Sequence, residues 1–272
     1  MRFHEFLKSA CPPLDLEWRK YRRREARHRV EARMAELGLA DYAAYLARLR
    51  QDKDEAAGLA VRMRVGVSRF YREAERWELL HQRVLPELLR AGAEDRPLRF
   101  WSAGCCGGEE PYSLALVWLA FFRERHPGRE VEILASDIDA VSLERARHGI
   151  YGHGSIREVP KDILHEYFDR EGEQWRLQER VRAMVRFGRR DLVRDPLPGN
   201  LDLVCCRYLV FTYYRGERRL AAARRLWQSL RPGGALMIAR KEELGVAGEL
   251  FEPWPDVDGV YRKREKGNQD SA

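Results

Sequence analysis

The sequence predicts an α/β protein: a mostly parallel sheet with helices on both faces, a helical domain ahead of it, and a small antiparallel β insertion within it. Three observations carry that expectation. From Leu98 onward, short apolar runs alternate with segments of helical period. The first run ends in a turn of small residues, Gly104-Cys105-Cys106-Gly107-Gly108, which opens a helix. Ahead of it, residues 1–90 read as mostly helical.

In chain order, Pro12, Pro13 and Asp15 precede a helix predicted over 16–37 and stopped near Gly38. Asp41 starts a second, with Tyr42, Tyr45, Leu46 and Leu49 at helical spacing, and a third spans 53–63. The stretch VGVSRFYRE (65–73) alternates like an extended segment. It enters a helix carrying Trp77, Leu80, Val84 and Leu88, and the polar residues 91–97 read as a hinge. The expected division is a helical domain over 1–90 and a sheet domain over 98–264.

Within the sheet domain, Leu98, Phe100 and Trp101 mark a buried strand, followed by a helix with Tyr112, Leu114, Ala115, Val117 and Trp118. Further strands are predicted over 131–135, 201–205 and 235–239, with helices over 140–148 and 218–230. Residues 154–190 break the alternation. A short helix over 161–168 and the period-two stretch WRLQERVRAMVRFG predict an insertion of about three short antiparallel strands. The polar residues 265–272 read as a frayed tail.

A hydrophobic content of 44% is sufficient for a sizeable core, and no apolar run approaches the length of a membrane span. The N-terminus lacks the apolar stretch of a secretory signal, so the expectation is a soluble, cytoplasmic chain without direct membrane insertion. Lys plus Arg outnumber Asp plus Glu by 50 to 43. The excess concentrates in RKYRRREARHRVEAR (19–33), a basic helix suited to an acidic protein surface, nucleic acid or anionic lipid, or simply to a solvated face. No aromatic interleaving or nucleic-acid motif accompanies it, so no nucleic-acid partner is expected. The five cysteines, four of them in adjacent pairs, do not suit a disulfide framework. Adjacent strand residues point to opposite faces, so no metal site is expected from Cys105, Cys106, Cys205 and Cys206 either.

The glycine turn lets a ligand approach the backbone at Gly104. A helix N-terminus ordinarily favours phosphate. Here Glu109 and Glu110 stand at that terminus, which disfavours an anion and favours a cation. S-adenosylmethionine (SAM), a sulfonium with an ammonium group, suits this better than NAD or ATP. A plain strand–helix turn with acidic capping suits the same residues. Asp137, at the end of the second strand, is placed to accept hydrogen bonds from ribose, while Asp139 suits capping of the next helix. Asp191 ends another predicted strand and can accept from an adenine amino group or sit in a surface turn. Arg207 follows Cys205 and Cys206 at a strand end. Arg72 sits in the FYR segment, flanked by Phe70 and Tyr71, and its planar fork suits a carboxylate.

With these residues in view, the chain resembles the CheR-type chemotaxis receptor methyltransferases, which use SAM to esterify glutamate side chains. Four motifs carry the resemblance in order: VSRFYRE, WSAGCCGGEEPYS, ASDIDAVSLERARHGIY, and LDLVCCRYLVFTYY followed by LRPGG. It covers about residues 41–264. It implies a Rossmann-like class I methyltransferase sheet with an N-terminal helical domain and a β insertion. It also implies that Glu110 and Asp137 hold the ammonium and ribose regions of SAM, and that Arg72 lies beside the methyl group and the substrate. Gly66, Ser68, Asp191, Leu192, Cys206 and Arg207 match further cofactor-contacting positions. Where the family has Asn and Thr, this chain has Gly66 and Ser68. The family's CRN reads Cys206-Arg207-Tyr208, and its GHSE reads Ala239-Arg240-Lys241-Glu242.

The resemblance implies a SAM-dependent O-methyltransferase releasing S-adenosyl-L-homocysteine (SAH). An ionised carboxylate acceptor needs no strong base. Arg72 is expected to position the acceptor, and Tyr213 or Tyr112 to line the transfer site. The expected partner is an acidic protein such as a chemoreceptor cytoplasmic domain, met by the basic helix. The alternatives are a small-molecule acceptor and a SAM-binding regulatory module without catalysis.

Overall fold

The structure is a computed structural model that describes residues 1–63, 66, 68–92 and 96–265. Parts of the expected extended segment (64, 65, 67), of the hinge (93–95) and of the tail (266–272) lie outside the described residues. The chain forms two compact units, Met1–Gly66 with Tyr208–Ala221, and Val67–Arg207 with Ala222–Ala272.

The first unit is helical. Helices Phe3–Ala10, Arg24–Glu36, Tyr42–Gln51 and Lys53–Arg62 bury Phe6, Leu7, Val30, Tyr45 and Leu59. Asp41 and Asp52 cap the last two through their first backbone N–H groups. Glu55 ties the unit together. It is buried, accepts from Arg33 at 2.7 Å, from Tyr45 at 2.7 Å and from Arg62 at 3.0 Å. The single helix expected over 16–37 is broken. A 3-10 turn, Trp18–Tyr21, ends at Arg22, and the α-helix begins only at Arg24. Glu17 caps the short turn, accepting from Arg19 N–H at 3.3 Å, and Arg23 N–H closes back on the Tyr21 carbonyl at 2.7 Å, while Glu17 N–H donates to the Tyr213 carbonyl at 2.9 Å.

The second unit contains the sheet. Its strands are β1 (Leu98–Ala103), β2 (Val131–Asp137), β3 (Ile150–Gly152), β4 (Phe168–Glu171), β5 (Gln174–Leu177), β6 (Val185–Arg189), β7 (Leu201–Cys205), β8 (Leu230–Met237), β9 (Phe251–Pro253) and β10 (Val260–Lys263). Seven of them order as β6-β2-β1-β7-β8-β10-β9, parallel from β6 to β8, with β10 antiparallel to both neighbours. This is the expected Rossmann-like arrangement closed by an antiparallel edge. β1 and β7 are buried almost throughout, as central parallel strands must be. Helix Glu109–Phe121 packs on β1, β2 and β6, and most of its residues are buried on every side.

Two expected boundaries differ. Helices Ala74–Leu79 and Leu85–Ala91 cluster with the sheet unit rather than with residues 1–66, because Trp77, Leu80, Val84, Leu85 and Leu88 join its core. Residues 208–221, expected in the sheet domain, cluster with the first unit, where Leu16 and Tyr214 form a β-bridge. The small sheet is β3-β5-β4, antiparallel, spanning 150–177. The later half of the period-two stretch does not belong to it. Glu179–Arg182 turns as a helix, and β6 pairs in parallel with β2 in the main sheet.

Candidate active site

The strand order reverses between β1 and β7, and the ends of β1, β2, β6 and β7 meet around that point. In open α/β sheets, ligands bind in this crevice. The loop after β1 is bent by left-handed residues: Gly104 has φ +79, Cys106 +52 and Gly108 +87. Gly108 is required twice over, since a Cβ there would meet Ala146 Cβ at 2.9 Å. Gly104 and Cys105 N–H groups both donate to the Ser136 carbonyl, at 2.8 and 3.0 Å. The loop is therefore laced to the end of β2.

Asp137 completes that lacing. Its Oδ2 accepts from Cys106 N–H at 2.9 Å and its Oδ1 from Asp139 N–H at 3.0 Å. Asp139 caps helix Ala140–His148, accepting from Val141 N–H at 3.2 Å and from Ser142 Oγ at 2.6 Å. The capping expected of Asp139 is present, and Asp137 stands free of it at the strand tip. Arg190 N–H donates to the Asp137 carbonyl at 2.9 Å, which brings the start of the Asp191 turn beside β2. Asp191 accepts from Val193 N–H at 2.8 Å, and Leu192 is buried next to it.

The two glutamates at the helix start have separate environments. Glu109 is wholly buried, pairs with Arg145 and receives Ser155 Oγ at 3.5 Å. Glu110 accepts from Ser102 Oγ at 2.7 Å and from Arg207 Nη1 at 3.4 Å. Burial pushes both carboxyls above their ordinary value, opposed at Glu109 by Arg145 and at Glu110 by Arg207 and Ser102. Arg207 is itself buried. Its Nη2 donates to Glu73 Oε2 at 2.8 Å and to the Arg72 carbonyl, and its guanidinium lies 5.6 Å over the Trp77 ring. Both Glu73 carboxylate oxygens also accept from Arg240 N–H, at 3.1 Å each.

The segment around Arg72 is a strained turn rather than a continuation of the expected extended segment. Tyr71 and Glu73 have φ of +50 and +66, costly for residues with a Cβ. It is over-determined by its neighbours. Phe70 N–H donates to the Ser155 carbonyl at 2.9 Å, Tyr71 N–H to Ser113 Oγ at 3.0 Å, and the Phe70 ring meets Tyr151 edge-on at 4.7 Å. Arg72 is half-buried, and its charge acts on Glu110 in the same sense as that of Arg207.

Thus Arg72, Gly104, Glu110, Asp137, Asp191, Leu192, Cys206 and Arg207 belong to one unit, with Ser68 half-buried at its start. Cys206 N–H donates to the Met237 carbonyl at 2.9 Å. Gly66 is exposed at the end of the first unit's leading segment, and Tyr213 lies in the first unit, its ring 5.1 Å from that of Tyr21. Tyr112 does not line a site. It is buried, and its hydroxyl donates to the Ala146 carbonyl at 2.9 Å. Burial raises the Cys106 thiol to about 11 and those of Cys105 and Cys205 well above the ordinary value, so they stay protonated at neutral pH. Sequence reading missed Ser102 and Glu73. A polar residue closing an apolar strand was the available signal for Ser102; nothing in the pattern marked Glu73.

The donor set suits a cationic nucleoside ligand. A partly shielded carboxylate (Glu110) at the switch point and a second (Asp137) at the neighbouring strand tip flank a loop whose glycines admit close approach. Fold and site together define a SAM-dependent methyltransferase of the open α/β type. The sequence comparisons agree: residues 66–256 match the family described as CheR methyltransferase, SAM binding domain. A chemotaxis protein methyltransferase of Listeria monocytogenes is 36% identical over 181 residues, covering 66% of each chain. Chemotaxis protein methyltransferase 2 of Vibrio cholerae is 31% identical over 241 residues, covering 84% of this chain and 80% of that one. A 104.1 kDa protein of Rhodobacter capsulatus is 30% identical over 224 residues, but this chain spans only 23% of its length. The chain belongs to the CheR methyltransferase family.

Proposed function

We propose that this chain transfers the methyl group of SAM to carboxylate oxygens of glutamate side chains on a chemoreceptor-like protein, in the cytoplasm. SAM, when bound, supplies an activated methyl group on a sulfonium. The chain's own residues do the rest. Glu110 takes the ammonium group, Asp137 the ribose hydroxyls, and Asp191 with Leu192 the adenine. Cys206 and Arg207 contact the cofactor, Arg207 while pairing with Glu110 at 3.4 Å, and Gly66 and Ser68 contact it from the leading segment. Arg72 orients the acceptor carboxylate, and Tyr213 lines the transfer site. An ionised carboxylate needs no proton removed, so alignment and exclusion of water are the chief demands.

The observation that carries this reading is the strained Tyr71–Glu73 turn. It is bound through Glu73 and the Arg72 carbonyl to the arginine that also touches Glu110. Strain held next to a cofactor carboxylate is the mark of a positioned functional side chain. A small-molecule acceptor is the second reading, favoured by Tyr208 and Ala239-Arg240-Lys241-Glu242 in place of the family's usual residues.

Labelled SAM offered with receptor domains and with metabolite carboxylates tests the proposal. Base-labile label on a receptor protein supports it, label only on a metabolite supports the second reading, and SAM binding without any acceptor means a regulatory module. Arg72→Ala is expected to abolish turnover while SAM binding stays measurable. Unchanged activity would remove Arg72 from its role.

A further inference from the structure

Glu73 stands in the left-handed region at φ +66, a conformation that strains a residue with a Cβ and that glycine takes freely. What glycine lacks is the carboxylate, and here the carboxylate is fully engaged. Its Oε2 accepts from Arg207 Nη2 at 2.8 Å, and both oxygens accept from Arg240 N–H at 3.1 Å. Arg76 Nε lies 3.7 Å from the same Oε2, and the Glu73 N–H donates to Glu158 Oε2 at 3.1 Å. The turn that carries Arg240 is closed by Glu242, whose Oε2 accepts from Ala239 N–H at 2.8 Å and whose own N–H donates to the Ala239 carbonyl at 3.0 Å. One side chain therefore joins the Arg72 turn to the residues that follow β7 and β8. The distances also decide how the Arg207 charge is shared. Glu73 holds Nη2 at 2.8 Å, while Glu110 meets Nη1 only at 3.4 Å. Arg207 is buried, so salt and water screen these contacts little.

We propose that Glu73 is a positioning residue for methyl transfer: it takes up the charge of Arg207, which leaves Glu110 open to the SAM ammonium, and it fixes the turn that presents Arg72 to the acceptor. This rests on the roles given to Glu110 and Arg72 above. Charge-assisted hydrogen bonds shorten and strengthen with the quality of the pairing, so the closer carboxylate holds the arginine and the farther one keeps capacity for a second cation. Without the Glu73 charge, Arg207 turns to Glu110 alone and competes with the ammonium. The site also becomes more positive by one unit. SAM carries a sulfonium besides its ammonium, so it suffers more from that change than SAH does. The position of Arg72 follows by a second route, because Arg207 Nη2 donates to the Arg72 carbonyl as well as to Glu73.

Titration calorimetry of the full chain with SAH and with SAM, below the melting temperature of each variant, tests this beside turnover with labelled SAM and receptor domains. Glu73→Gln is expected to weaken SAH by about tenfold or more, and SAM by more than SAH. Glu73→Asp keeps the charge on a shorter stem. Its SAH affinity is expected to stay near that of the wild type, while kcat at saturating SAM falls severalfold. Glu75→Gln makes the same change of charge at an exposed neighbour and is expected to leave both quantities unaltered. The proposal is overturned if Glu73→Gln binds both compounds as the wild type does, or if Glu73→Asp keeps the wild-type kcat. It is overturned as well if Glu75→Gln weakens SAM as strongly as Glu73→Gln, since net charge alone would then account for the loss. Should Glu73→Gln fail to fold, the kcat of Glu73→Asp decides. If the wild type labels no receptor protein, the acceptor assignment falls, and the two titrations still judge Glu73.

Discussion

Arg207 donates from Nη1 to Glu110 Oε2 at 3.4 Å, while its other terminal nitrogen is held by Glu73 at 2.8 Å. The carboxylate proposed for the SAM ammonium is therefore tied to the arginine that also holds the Tyr71–Glu73 turn. Burial raises the Glu110 carboxyl in the free protein, and Arg207 opposes the rise. A cationic ligand requires the ionised form, so its binding depresses that pKa further. The sign follows: affinity for SAH is full at pH above the free-protein value and is lost as pH falls through it, above the ordinary carboxylate range. Calorimetry from pH 8 to pH 5 is expected to show proton release on binding and weakening affinity at the acid end. Glu110→Gln should cost about 1.5–3 kcal/mol at pH 8, the worth of a hydrogen bond to a charged group, and flatten the pH profile. A variant that keeps the wild-type profile would reassign the ammonium site.

Arg145 pairs with Glu109, which has no exposed surface, while Arg145 itself is half-exposed. A Cβ on Gly107 would collide with the Arg145 guanidinium, so this side chain lies directly on the loop. Arg145→Ala leaves a buried carboxylate without its cation, a change that costs about 3 kcal/mol or more. Burial already raises Glu109 in the folded state, and losing Arg145 raises it further. A carboxyl raised on folding favours the native state below its unfolded pKa, and that benefit is lost as pH climbs through the folded value. The variant's melting temperature should thus fall more, relative to wild type, at pH 8 than at pH 5. An equal deficit at both would mean that Glu109 does not titrate in that window.

The alternation of strands and helices was legible because β1 and β7 read as continuous apolar runs and the loop between β1 and its helix is nearly all glycine and cysteine. Asp139 was readable as a cap, since capping is local. Placement was not readable where it depends on partners distant in sequence. The period-two pattern of 175–188 marks strands, but a period does not say which sheet they join, and β6 pairs with β2 instead of β5. Nor does helical spacing reveal that the run breaks between Tyr21 and Arg24. The left-handed Tyr71 and Glu73 are imposed by Ser113, Ser155 and Arg207, all remote in sequence. The Glu110–Arg207 pairing was implicit in two strand ends flanking a switch point, but Glu73 became visible only with the turn in place.

Asp202 sits inside β7 with no exposed surface, an unusual place for a charge. Arg96 grips it with both terminal nitrogens, at 2.7 and 3.0 Å, Arg99 N–H donates at 2.8 Å, and Arg231 Nε completes the set. Burial works against ionisation here, yet these donors outweigh it and hold the carboxyl below its usual range. A depressed folded pKa contributes stability above the unfolded value, about 3.9, and that contribution is lost as pH falls through the folded one. Asp202→Asn keeps the shape and removes the charge, leaving two arginines facing a neutral amide. The expected loss is about 3 kcal/mol, or roughly 6–12 °C in melting temperature at pH 7. The gap to wild type should close only below about pH 4, where Asp202 itself takes up a proton. SAH affinity is expected to stay unchanged, because the cluster lies toward the start of β7 and the ligand crevice at its end. A melting temperature within a degree of wild type would mean that the Arg96, Arg99 and Arg231 contacts merely offset the cost of burying the charge.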